Sequence, residues 1–221
     1  MVAKLITVAN QKGGSGKTTV SMQIAGTLGM RAYRVLVIDA DPQATAQRWA
    51  ASADEDSPFP AAVAGLSAAG GKVHQEARKY IDQYDVIVID CPPAVDSPVP
   101  QSALMISDLA LVPIIPSPAD LWATKGTQRL IENAQDFNEA LQARLMLNML
   151  QSQTSLGREA ETLLIDFGTP RMDAHLGLRQ AYRQAQLYGA TVHALERQSK
   201  AINEVNALTD EVMAILGESN G

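Results

Sequence analysis

Five short runs of this chain are apolar almost from end to end: KLITVA (4 to 9), RVLVID (34 to 39), DVIVID (85 to 90), LALVPII (109 to 115) and RLMLNML (144 to 150). A strand with one wet face alternates apolar and polar residues; a strand covered on both faces has no place for the polar half of that pattern. Between the runs lie stretches of helical spacing, read as helices over 17–29, about 43–52, about 72–83, 119–139 and 199–216. The last of these carries Ile202, Val205, Leu208, Val212 and Ile215 at three- and four-residue steps, a stripe that faces a core. Strands alternating with helices and buried on both sides predict an α/β fold, a doubly wound, mostly parallel sheet with helices on both faces. The length suits a single domain over 1–221. Residues 53–71, rich in Pro, Ala, Gly and acids, read as a long connection. An apolar-polar stretch near 172–178 precedes a helix over about 179–188, which Gly189 ends.

Composition narrows the setting. Hydrophobic residues make up 46% and charged residues 19%, a globular balance, and no apolar run reaches 18 residues, so a soluble protein is expected. The N-terminus enters a strand directly and fits neither a signal nor a transit peptide. The lone cysteine, Cys91, excludes an internal disulfide and agrees with a cytoplasmic protein. A net charge of −6 excludes a surface basic all over, so any contact with nucleic acid needs a local patch. Residues 171–200 supply one: Arg171, Arg179, Arg183, Arg197 and Lys200 against Asp173 and Glu196, a local charge of +3.

Between the first strand and the first helix stands NQKGGSGKTTV (10 to 20). Gly13, Gly14 and Gly16 let backbone N–H groups converge on an anion without Cβ interference, and the helix starting near Lys17 adds its positive end. This is the device that cradles nucleotide phosphates: Lys17 reaches the β- and γ-phosphates and the Thr18 hydroxyl ligates Mg²⁺. One detail departs from the general pattern, because Gln11 stands where its first glycine belongs and an extra lysine, Lys12, follows. In an α/β sheet the ligand lies at the carboxyl ends of the strands. Strands two and three end there in VIDADPQ and VIVIDCPP. Asp90 fits a carboxylate that holds Mg²⁺ through water. Asp39 and Asp41 can place one carboxylate near the metal and one near an attacking water. A strand-end aspartate that merely caps the next helix is the alternative for either alone.

KGGSGKTT with its early lysine, DADPQ and DCPP resemble the deviant Walker A, A′ and B motifs of the ParA/MinD family of ATPases, and PSPADLWA (116 to 123) resembles the matching segment of the ParA branch. The likeness spans nearly the whole chain in order and spacing. It implies a P-loop ATPase with ATP and Mg²⁺ as cofactors. It implies also that Lys12 reaches across an ATP-bound homodimer to the partner's phosphates, as an arginine finger does elsewhere. By the same resemblance Gly13, Gly14, Ser15, Gly16, Lys17, Thr18 and Thr19 bind the nucleotide, and Thr18, Asp39 and Asp90 form the metal environment. Asp41 positions the hydrolytic water, Asn148 meets the adenine edge, and Pro116 and Pro118 flank the base. A lone cysteine cannot build the four-cysteine cluster of the iron–sulfur members, and Cys91 reads as a small buried hydrophobe. The tail AINEVNALTDEVMAILGESNG lacks the basic flanks of a membrane-seeking helix. What remains resembles the small ParA type without an N-terminal helix-turn-helix. That type implies a nucleoid-associated ATPase whose ATP dimer binds DNA without sequence preference, here through Arg179, Arg183, Arg197 and Lys200. An adaptor or centromere-binding protein then stimulates slow hydrolysis, to segregate DNA or position a cargo such as carboxysomes. Two alternatives remain: a small-molecule ligase resembling dethiobiotin synthetase, and an ATP-gated scaffold that hardly hydrolyses. The histidines (His74, His175, His193) are scattered and suggest no metal site, and Trp49 and Trp122 read as packing residues.

Overall fold

A computed structural model of the chain describes residues 2–93, 96–155, 157–159, 164, 168–195 and 200–217. Its centre is a six-stranded sheet in the order β3-β2-β4-β1-β5-β6, with every pairing parallel. All five apolar runs form strands: β1 Lys4–Val8, β2 Val35–Asp39, β4 Val86–Asp90, β5 Leu109–Ile114 and β6 Gln142–Leu147. The sixth, β3 (Ala62–Gly65), corrects the reading of 53–71 as a mere connection. Its side chains are small and partly exposed because it lies at the sheet edge beside β2, so no apolar run marks it.

Helices cover both faces. Strand side chains alternate between them, as the two-residue period requires: Ile6, Val37 and Val88 face α1 (Lys17–Met30), α2 (Thr45–Ala51) and α7 (Lys200–Ile215), whereas Leu5, Ile38 and Ile87 face α3 (Val73–Ala77) and α4 (Val99–Leu104). On that second face α5 (Pro118–Gln135) covers Val112, Ile114 and Leu145 of β5 and β6 with Leu121, Ile131 and Ala134. Helix α6 (Gln180–Leu187) is followed by Gly189 at φ 61, a left-handed turn that suits glycine and ends the helix as expected. Residues near 172–178 run beside β6 through parallel bridges at Leu145–Arg171 and Leu150–Gly177.

Two further sequence expectations change, at 72–83 and at Trp122. The single helix expected over about 72–83 is instead the 3-10 segment Ser67–Lys72, the short α3 and a 3-10 turn at Arg78–Tyr80, and Gly70, at φ 51 and ψ −127, breaks the regular path. Helix α4, six residues long with Pro100 in its first turn, carried too short a pattern to be read. Trp49 does pack, at 2% exposure with Nε1 donating to the Ala190 carbonyl at 3.0 Å, but Trp122 is 72% exposed and is no packing residue. Cys91 is buried as a small hydrophobe, and burial pushes its thiol pKa well up. Among the described residues no helix is long and apolar enough to cross a membrane.

Candidate active site

The carboxyl ends of β1, β2 and β4 bring the glycine loop and the predicted aspartates together, because β4 lies between β1 and β2 and pairs Asp90 with Val8 on one side and Asp39 on the other. Gly14 and Gly16 stand at φ 80 and φ 84, and a Cβ on Gly16 would lie 2.2 Å from Asn148 Nδ2. Only glycine combines that backbone with that approach. The mouth of the loop is pinned by residues that motif reading missed. Asn10 Nδ2 donates to the Pro113 carbonyl at 2.8 Å, and its Oδ1 accepts the Lys12 N–H at 2.9 Å. Thr127 of α5 accepts the Gln11 N–H at 3.1 Å. A buried asparagine directly after an apolar strand was the available signal for Asn10; Thr127 carried none.

The two lysines occupy different environments. Lys17 is buried, with Nζ donating to the Lys12 carbonyl at 3.3 Å, whereas Lys12 is exposed at the mouth of the loop. Burial lowers the Lys17 pKa, and neighbouring Asp90 opposes that shift. Thr18 Oγ1 donates to Asp90 Oδ2 at 2.7 Å, and Ser21 Oγ lies 3.0 Å from Asp90 Oδ1. Ser21, one turn after Lys17, is a second missed residue; a hydroxyl in a helix otherwise buried all round was its trace. Asp39 is fully buried, and its two oxygens accept the N–H groups of Asp41 at 3.2 Å and Gln47 at 3.0 Å. It therefore holds the β2–α2 loop and the first turn of α2 as well as facing Asp90. Asp41, half-buried, accepts the Gln43 N–H at 2.9 Å.

Asn148 follows β6 directly, and its side chain turns to the loop: Nδ2 donates to the Ser15 carbonyl at 2.8 Å and Oδ1 accepts the Met149 N–H at 2.9 Å. Met149 itself sits at φ 53. Next to Thr19 a pocket opens whose walls include Asn148, Met149, Leu178, Tyr182 and Gln186; Pro116 is not among them, and Pro118 opens α5 behind its cap Ser117. The basic candidates separate. Arg179 is held by Glu204, Arg183 and Lys200 are exposed, and Arg197 lies outside the described residues.

The site suits a magnesium nucleotide. Ser15 Oγ is buried without a hydrogen-bond partner in the loop, the mark of a group shaped for an incoming acceptor. Around it lie positive-φ glycines, a buried lysine, and a hydroxyl-carboxylate pair of the hard oxygen donors that Mg²⁺ takes. Burial, with Asp39 close by, raises the Asp90 pKa to about 7 against the opposing hydrogen bonds of Thr18 and Ser21. In magnesium- and nucleotide-free protein the folded state thus holds this proton to higher pH than the unfolded chain does. Its contribution to stability is complete below pH 3.8 and is lost as pH rises to about 7, a change of up to about 4 kcal/mol. Asp90→Asn is therefore expected to melt above the unsubstituted protein at pH 8 and to keep less than half of that difference at pH 5. Thermal melts of both at the two pH values check this.

Comparison with known proteins agrees with the geometry. Residues 6–206 match the family described as the CobQ/CobB/MinD/ParA nucleotide binding domain. The chain is 34% identical over 211 residues to maintenance of carboxysome distribution protein A of Halothiobacillus neapolitanus, covering 94% of this chain and 95% of that one. In fold it is similar to the MinD septum site-determining protein of Pyrococcus horikoshii solved with Mg-ADP, at a TM-score of 0.81 and 22% identity over 98% of each chain. It is similar also to a Cyanothece McdA variant solved as a complex with ATP, at a TM-score of 0.78 and 19% identity over 99% of this chain and 98% of that one.

Proposed function

The chain belongs to the CobQ/CobB/MinD/ParA nucleotide-binding family, and on that premise we propose that it is a ParA-type positioning ATPase, an ATP-dependent dimer that binds DNA without sequence preference and is reset by partner-stimulated hydrolysis. The observation that carries this reading is the pair of lysines in one loop, Lys17 buried inside it and Lys12 exposed at its mouth. A loop serving its own nucleotide needs the first; the second is available to a neighbour. The cargo in this reading is a protein assembly of the carboxysome kind, supported by the carboxysome-distribution relative.

Gly13 to Thr19 would hold the phosphates, with Lys17 as the cation on the β- and γ-groups. Thr18, Asp90 and Asp39 would hold Mg²⁺, which would neutralise phosphate charge. Asp41 orients the attacking water from the β2–α2 loop, with its carboxylate fixed by the Gln43 N–H. Lys12 of the partner subunit neutralises phosphate charge across the dimer; ADP offers it one phosphate fewer, so hydrolysis loosens the pair. Asp41→Ala tests the assignment. Steady-state hydrolysis should fall about 100-fold, while ATP still drives dimer formation in light scattering. Normal turnover, or loss of the dimer along with turnover, contradicts it.

A further inference from the structure

Glu204, on α7, does chemistry that no motif marks. Its carboxylate gathers four donors from α6 and the segment leading into it from the β6 edge: the Gly177 N–H at 3.1 Å, Arg179 Nε at 2.8 Å, Arg179 Nη2, and the Tyr182 hydroxyl at 3.0 Å. The Glu204 side chain is only 14% exposed. Burial alone would raise its pKa, but the Arg179 hydrogen bonds, the Gly177 amide and the Tyr182 hydroxyl outweigh it and hold the carboxyl below its usual range. Burial, with Glu204 beside it, pushes the Tyr182 phenol pKa up, so the hydroxyl keeps its proton and remains a donor.

The three residues so gathered, Gly177, Arg179 and Tyr182, line the pocket beside Thr19, together with Asn148, Met149 and Arg183 among others. This pocket adjoins the first turn of α1, where a nucleotide on the glycine loop continues from phosphates to base. Apolar faces with a few fixed polar groups suit a flat heteroaromatic ring. One carboxylate fixes a backbone amide, a guanidinium and a phenol of this wall together, beside the backbone bond from the Leu178 N–H to the Leu150 carbonyl at 3.1 Å.

We infer that Glu204 is a positioning residue for the nucleotide base, holding the 177–182 wall at the distance from Met149 that a base requires. The inference rests on the ATP-binding reading above, and it makes affinity for the base, rather than for the phosphates, depend on α7.

The test compares Mg²⁺-dependent binding of ATP and of inorganic tripolyphosphate by calorimetry, for the unsubstituted protein, Glu204→Gln and Tyr182→Phe. Tripolyphosphate engages the loop and lacks a base. Glu204→Gln is expected to weaken ATP about tenfold and leave tripolyphosphate unchanged. Tyr182→Phe, which removes one donor and keeps the ring, should weaken ATP by less in the same direction. Equal weakening of both ligands, or unchanged ATP binding in both variants, overturns the inference. An unsubstituted protein that binds neither ligand overturns the nucleotide reading itself, a result distinct from either.

Discussion

Lys17→Ala protein is expected to hydrolyse ATP about 1,000-fold more slowly than the unsubstituted chain, and MgATP should no longer raise its melting temperature. The size follows from where the lysine sits. Its ammonium lies in the loop, 6% exposed, where water screens it little and its attraction for a phosphate is correspondingly large. Alanine leaves the phosphate charge of a bound nucleotide facing Asp90 and Asp39 without the buried ammonium of the loop. Because a ligand stabilises the folded state more the more tightly it binds, a melt with and without MgATP reads binding separately from turnover. A full MgATP-induced shift in Lys17→Ala would contradict the assignment of the loop.

Lys12→Gln should give the opposite dissociation of properties. Lys12 is exposed and donates its backbone N–H, not its side chain, to Asn10 Oδ1 at 2.9 Å, so the loop keeps its shape when the side chain changes. MgATP should therefore still raise the melting temperature. The dimer should be lost, and hydrolysis should fall about 1,000-fold, the scale of a cation supplied in trans. Light scattering with ATP and a turnover assay on the same sample check both parts. A variant that dimerises normally with ATP would remove Lys12 from the interface.

Much of this was legible in the sequence because parallel strands buried on both faces leave no polar half to confuse the pattern. The runs at 34–39 and 85–90 are strands to within a residue or two, and their terminal aspartates fall side by side because β2 and β4 are neighbours in register. The glycine loop was legible for a local reason, that Gly14 and Gly16 need positive φ. The edge strand β3 was not, since partial exposure removes the selection for β-branched residues that marks the inner strands. Helices α3 and α4, at five and six residues, are shorter than two helical turns, too short for periodicity to show. Pairings across the fold were invisible for a different reason. Nothing local in Arg179 announces that Glu204, 25 residues on, will neutralise it. That pairing engages Arg179, one of the four basic residues expected at DNA, while Arg183 and Lys200 are exposed.

In the proposed function ATP makes this chain a dimer, and the dimer holds DNA through phosphate contacts alone. Binding to a duplex of arbitrary sequence, measured with ATP, with ADP and without nucleotide across a salt series while molecular size is followed in parallel, decides both parts. Binding and the dimer should appear together, only with ATP, and log affinity should fall linearly with log salt. An ATP-bound protein that ignores DNA at low salt would contradict that function and favour a P-loop enzyme acting on a small molecule.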